Sequence, residues 1–114
     1  MTIRRAIPLL GASDLAGVRD FYSGFLGFEV AMDEPGFMQF RSPSTPSVQI
    51  IVGSERGVGL AHVTVDVEDV DALHVEAVRR GLEIVYPLTD EPWGIRRFFV
   101  RAPNGTVVNV ASQH

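Results

Sequence analysis

A histidine heads a run that otherwise reads as core strand, in the stretch GLAHVTVDVEDVDAL from Gly59 to Leu73. Imidazole changes charge close to neutral pH, so it can serve as a general base, as a hydrogen-bond donor to a ligand oxygen or as a metal ligand. Two-residue alternation from Ala61 puts Val63, Val65 and Val67 on one face and His62, Thr64 and Asp66 on the other. His62 therefore shares its face with polar neighbours, and that face is either solvated or the lining of a polar cavity. Two amides raise a related question: Gln49 in VQIIV and Asn109 in VVNVA each stand among branched apolar residues. A buried amide must find partners or cost about 2 kcal/mol or more, and a ligand or water can be that partner. The third cluster is Trp93, Arg96 and Arg97, at the start of the strand RRFFVR. Alternation sets Arg96, Phe98 and Val100 on one face and Arg97, Phe99 and Arg101 on the other, so one guanidinium shares a face with apolar residues and can bind an oxyanion through its planar fork. Trp93 can stack on a flat ligand.

Each of these residues also has a purely structural reading. The histidine and the amides can bond their neighbours, Trp93 can pack a loop, and the arginines can pair with Asp90 or Glu91. His74, between Leu73 and Val75 on a helix, reads as solvated, and His114 as a frayed chain end. Phe37, with Met38 and Phe40, reads as core more readily than as pocket.

The elements that must position these side chains are written twice. The segment IPLLGASDLAGV from Ile7 can be laid on HVTVDVEDVDAL from His62, superposing Asp14 on Asp69. Each is a short strand running into a helix. The first helix has Asp14 as its N-cap, buries Leu15, Val18, Phe21, Tyr22, Phe25 and Leu26 at helical spacing, and stops at Gly27. The second runs from about Asp69, uses Val70, Leu73 and Ala77 with Val78 beside them, and stops at Gly81. Similar strands follow, FEVAM from Phe28 and LEIVY from Leu82, and then the turns DEPG from Asp33 and DEPWG from Asp90. Further on, RSPSTPSVQII from Arg41 matches RAPNGTVVNVA from Arg101, pairing Gln49 with Asn109. Asn104-Gly105 fits a two-residue hairpin turn, PSTPS from Pro43 to Ser47 a hairpin loop, and VGSERGVG from Val52 to Gly59 the linker. The order in each half is strand, helix, strand, strand, strand. A βαβββ module of about 55 residues leaves one sheet face bare and is too small for a stable core of its own, so the two halves are expected to pack into one domain over residues 1–114, module one 1–53 and module two 58–114.

Composition removes several classes of function. The net charge of −4 is spread without a basic run, which leaves no footprint for nucleic acid or an anionic membrane. The absence of cysteine rules out a disulfide framework, a thiol nucleophile and a thiolate metal site, so any metal must sit on nitrogen or oxygen. The N-terminal MTIRRAIPLL lacks a cleavage pattern, and no apolar run approaches the roughly 20 residues of a spanning helix. The expectation is a cytoplasmic protein whose partner is a small molecule.

Taken together, the runs SDLAGVRDFYSGFLGFEV, HVTVDVEDVDAL and DEPWGIRRFFVRAPNGTVVNV resemble the vicinal oxygen chelate superfamily, the glyoxalase, bleomycin-resistance and extradiol-dioxygenase group. The shared features are an Asp followed by a helix ending FY..FLGF, a Trp-Gly-x-Arg, and a Pro-Asn-Gly turn before the last strand; Ala102 stands where the family often has Asp. The resemblance implies an α+β fold of two tandem βαβββ modules forming a curved mixed sheet around a cavity, and it commonly goes with homodimers. In metal-dependent members a divalent cation is held by His or Glu side chains from the first and last strands of the modules. Those positions fall here at Ile7 and His62, and at Gln49 and Asn109. One imidazole, two neutral amides and an isoleucine make a poor set for such an ion, which calls for anionic carboxylates beside imidazole. The expected function is therefore binding of a small organic molecule in the manner of bleomycin-resistance proteins, without an intact metal centre and with no cofactor. Gln49, His62 and Asn109 would supply polar contacts, Trp93 and Arg96 the rim, and Phe37 and Phe98 apolar walls. The alternatives are a lyase, isomerase or dioxygenase in which His62 ligates a divalent metal within a reduced ligand set, and a metal-free enzyme with His62 as catalytic general base.

Overall fold

The computed structural model describes residues 2–54 and 61–113. They fall into two compact units, residues 7–60 and residues 1–6 with 61–114. Each has the same plan, and the class is α+β.

In the first unit, the later part of strand β1 (Ile3–Gly11) leads into helix α1 (Leu15–Arg19), and strands β2 (Glu29–Glu34), β3 (Phe37–Arg41) and β4 (Gln49–Gly53) follow. β4 lies parallel to β1, with Leu9 opposite Ile51, while β3 is antiparallel to both β4 and β2. A parallel pair requires a crossover, and here the helix and two strands supply it. Met38, Phe40 and Val52 form the buried core on the helix side, against Leu15, Val18, Tyr22 and Phe28.

The second unit repeats this with β5 (Val63–Val67), α2 (Val70–Arg79), β6 (Ile84–Asp90), β7 (Ile95–Arg101) and β8 (Val107–Gln113). β5 is parallel to β8, which is antiparallel to β7, which in turn is antiparallel to β6. Val67, Val70, Ala77, Phe98 and Val110 are its core. Ser112 ties the helix start to the sheet: its hydroxyl donates to the Val67 carbonyl at 2.8 Å and accepts from the Val70 N–H at 3.2 Å. Asp14 caps the first helix as expected, accepting from the Gly17 N–H at 3.1 Å, and Asp69 caps the second in the same way, accepting from the Ala72 N–H at 3.0 Å.

Four details differ from the expectation. The first helix turns from α to π over Asp20–Phe25, with the Leu26 N–H reaching the Phe21 carbonyl five residues back. The wider turn shifts the helical face, so Phe21, Phe25 and Leu26 are exposed at 49%, 75% and 51% and only Leu15, Val18 and Tyr22 of that stripe pack the core. The Asn104-Gly105 connection is a three-residue loop: the Gly105 N–H bonds the Ala102 carbonyl, and the Ala102 N–H bonds the Thr106 carbonyl. Gly105 has φ 88° while Asn104 keeps a negative φ, so this is a type I turn closed by a left-handed glycine. Pro92-Trp93-Gly94 repeats that geometry, with Glu91 bonded to Ile95 and Gly94 at φ 92°. His74 is half-buried, its ring edge-on to Phe98 at 5.0 Å, because its turn of α2 lies against the sheet. Of the expected linker, Val52 and Gly53 belong to β4, and residues 55–59 lie outside the described residues.

Candidate functional site

Strand alternation divides the second unit's sheet into an apolar face covered by α2 and an opposite face of different chemistry. Cross-strand register builds the latter in two rows. Tyr86, Phe99, Asn109 and Thr64 succeed one another across β6, β7, β8 and β5, and Thr89, Arg97, Ala111 and Asp66 do so beside them.

Arg97 is the centre of the richest cluster. Its guanidinium lies 5.5, 5.4 and 5.1 Å from the ring centroids of Tyr86, Trp93 and Phe99. One edge bonds Glu91, Nη2 to Oε2 at 2.7 Å, and the Tyr86 hydroxyl donates to the same carboxylate at 3.1 Å. The Glu91 side chain is only 8% exposed, so the pair sits where a lone charge would be costly and each ion needs the other. The Arg97 Nε–H has no partner among the described residues. Neither does Oδ1 of Asn109, a residue 6% exposed, although its Nδ2 donates to Thr64 Oγ1 at 3.1 Å. Asp66 completes the set. It is 7% exposed, its Oδ2 accepts from Arg5 Nε at 3.0 Å, and its Oδ1 has no partner among the described residues.

The residues singled out from the sequence are thus distributed unevenly. Trp93 and Asn109 lie within this arrangement. Arg96 and Phe98 are on the other face. Arg96 is bound by Asp71 at 2.8 Å and Asp90 at 3.0 Å, and those two carboxylates, Asp71 foremost, hold its proton more firmly than usual. Phe98 is 1% exposed in the core beneath α2, and it lines a cavity on that side of the sheet together with Leu73, Ala77, Leu82 and Val110. Gln49 is in the first unit with both ends of its amide engaged, Oε1 by Gln39 at 2.6 Å and Nε2 by the Pro46 carbonyl at 2.8 Å. Phe37 is half-buried at the start of β3, against Gly53. His62 is exposed, and its Nδ1 accepts from the Val107 N–H at 3.1 Å. That bond leaves the ring proton on Nε2, so the side chain pins the first residue of β8 and has no lone pair to spare as a base. Arg97 belongs to the third sequence cluster but Arg96 is the one expected at the rim, and no site role follows from the sequence for Tyr86, Glu91 or Asp66. The signal for Arg97 and Asp66 was in the alternation, which already set Arg97 apart from Arg96 and grouped Asp66 with His62.

A family model described as Glyoxalase/Bleomycin resistance protein/Dioxygenase superfamily matches residues 6–110. The chain belongs to this superfamily. Among solved structures, a superfamily member from Vibrio splendidus 12B01 aligns with a TM-score of 0.78 at 22% identity, covering 98% of this chain and 100% of that one. Methylmalonyl-CoA epimerase from Streptomyces coelicolor, in complex with 2-nitronate-propionyl-CoA, aligns at 0.73 with 19% identity over 98% and 99% of the two chains. The epimerase from Mycobacterium tuberculosis aligns at 0.67 with 18% identity, covering 98% and 87%. At such identities the likeness concerns the fold, since one fold carries many chemistries. No curated protein matches the chain.

Of the four residues at the positions that the resemblance gives to metal ligands, Asn109 alone has an unengaged donor atom among the described residues, and a single neutral amide oxygen is a poor ligand set for a divalent ion. Ile7, 3% exposed, offers no donor, and the amide ends of Gln49 are both used. Loading a metal on His62 through Nε2 would require moving the proton and breaking the Val107 bond. No group of three or more His, Cys, Asp or Glu able to hold a metal occurs among the described residues.

Proposed function

We propose that this protein binds a small organic molecule on the face of the β5–β8–β7–β6 sheet turned away from α2, with Arg97, Asn109 and Trp93 as its contacts and without a divalent metal. The observation that carries the reading is the pair of unmatched polar atoms there. Asn109 Oδ1 and Arg97 Nε lack partners among the described residues, and a buried polar group left unpaired costs about 1–3 kcal/mol. A ligand supplying one acceptor and one donor recovers that cost. The cage of Tyr86, Trp93 and Phe99 fixes the Arg97 plane in advance, so little side-chain freedom is lost when the ligand arrives. Membership of a superfamily whose members bind small molecules supports the same reading. The homodimer belongs to this proposal as well, and sedimentation equilibrium tests it: a single species at the monomer mass would overturn that part.

A ligand-observed NMR screen of small organic fragments, run on the wild type and on Asn109→Leu, tests the binding site. Binders that vanish in the variant are expected. Binders indifferent to it would overturn the assignment. Elemental analysis after purification without chelator accompanies the screen, and stoichiometric metal lost in His62→Ala would replace this reading with a metal-assisted enzyme.

A further inference from the structure

The helix that covers the second unit's sheet does not fill the space beneath its own C-terminal end. Val70, Leu73 and Ala77 are the α2 side chains packed on the sheet. The first two are large, whereas Ala77, at the last turn, offers a single methyl group. The chain then leaves the helix through Gly81, at a φ of 69°, with the Gly81 N–H on the Val78 carbonyl and the Leu82 N–H on the Ala77 carbonyl, both at 3.0 Å. This is the Schellman arrangement, which ordinarily seals a helix end by setting the hydrophobic residue after the glycine against the last inward side chain of the helix. Here Leu82 meets only alanine, and the seal is incomplete. A cavity of about 250 Å3 results, floored by Phe98 and Val110, which face each other across β7 and β8, with Val100 beside them. Phe98, Val110 and Ala77 are buried, Leu73 and Val100 half-buried, and Leu82 exposed, so the space opens to solvent on the Leu82 side.

The chemistry of the walls selects what can fill it. A water molecule needs two to four polar partners, and the side chains lining the interior are hydrocarbon. The polar lining residues, Glu76 and Arg80, bond each other at 2.8 Å, and the other Glu76 oxygen accepts from Arg79 Nε at 2.8 Å. The positive charge left by two arginines on one carboxylate lies at the negative end of the α2 dipole, so a charged head group has no clear partner there. A cavity of about 150 Å3 lined by similar side chains stays dry and takes benzene. In proportion, this one suits a molecule of about ten non-hydrogen atoms, which would supply the dispersion contacts that the walls lack.

We propose that the cavity between α2 and strands β7 and β8 is a second binding site, separate from the face turned away from the helix, and that it takes a small uncharged apolar molecule the size of one substituted ring. The site is independent of the reading given to the opposite face.

Methyl-resolved two-dimensional NMR of the full chain tests this, with p-xylene as one probe and hydroquinone, of the same shape but with a hydroxyl at each end, as the other. Saturable shifts by p-xylene are expected at the methyl groups of Leu73, Ala77, Leu82, Val100 and Val110, with the Trp93 indole N–H unmoved. Hydroquinone should bind about tenfold or more weakly, because one hydroxyl is buried without a partner. Ala77→Leu, which fills the cavity, should weaken p-xylene by at least as much. The comparison of probes uses wild-type protein throughout, so it stands if the variant fails to fold. No saturable shift by p-xylene, hydroquinone bound as tightly, or p-xylene bound equally by folded Ala77→Leu would each overturn the proposal. Shifts confined to Trp93 and its neighbours would overturn it too, and would place the probe on the opposite face. Because the resonances name the face, a binder in this cavity is kept apart from the ligands sought there.

Discussion

Two buried polar side chains on β8 ought to respond to truncation in opposite ways. Ser112 is 5% exposed and fully engaged, holding the Val67 carbonyl and the Val70 N–H, both of which belong to residues at most 1% exposed. Ser112→Ala leaves those two backbone groups without their partner at about 1–3 kcal/mol each, so a loss of about 2–6 kcal/mol is expected. Asn109, at 6% exposure, is only half engaged. Asn109→Leu gives up the bond to Thr64, worth about 1 kcal/mol, removes an unmatched oxygen whose burial costs about 1–3 kcal/mol, and substitutes a side chain of similar size. The net change should lie between neutrality and a gain of about 2 kcal/mol. Urea denaturation of the unliganded proteins measures both, and at about 4 °C per kcal/mol thermal melts should separate the two variants clearly. An amide kept for a ligand is one whose removal costs no stability. If Asn109→Leu instead costs more than about 2 kcal/mol, the amide is structural and the argument for the binding face fails.

Other consequences can be checked independently. Trp93 is the only tryptophan, 61% exposed with its ring 5.4 Å from the Arg97 guanidinium, so a ligand on this face should shift or quench its fluorescence; an unchanged spectrum at saturation would remove Trp93 from the rim. Phe98→Ala should cost about 3–5 kcal/mol in chemical denaturation, as for a large core residue, and a loss below about 1 kcal/mol would contradict its packing beneath α2. The Glu76 carboxyl, bonded first by Arg79 and then by Arg80, is held down to about 2 from an ordinary 4.5. Its folded-state pKa is depressed, so its contribution to stability is complete above about 4.5 and lost as pH falls toward about 2. The stability difference between wild type and Glu76→Gln should therefore shrink across that window, by a small amount because the side chains are exposed; a difference that grows on acidification would refute the sign.

The doubled architecture was legible in the chain because it rests on short-range signals. Asp14 and Asp69 cap helices by bonding backbone N–H groups three residues on, Gly27 and Gly81 mark where those helices stop, and the period of two in VTVDV and VVNVA assigns each residue to a face. The candidate site was legible only in part. Alternation separates Arg96 from Arg97 but does not say which face meets a helix, and that decided their roles: the apolar face drew α2, with Asp71 to pair with Arg96, while Arg97 was left among rings. The π turn at Asp20–Phe25 likewise overrode a stripe that helical spacing alone would bury. Which polar atoms find partners is a matter of register between distant strands. Gln49 and Asn109 look alike in sequence, yet Gln39 and the Pro46 carbonyl satisfy one, and among the described residues only the Thr64 hydroxyl reaches the other. The sequence alone determined which residues are polar among apolar neighbours; tertiary structure decided which of them were left wanting a partner, because that depends on what the opposite strand places within about 3 Å.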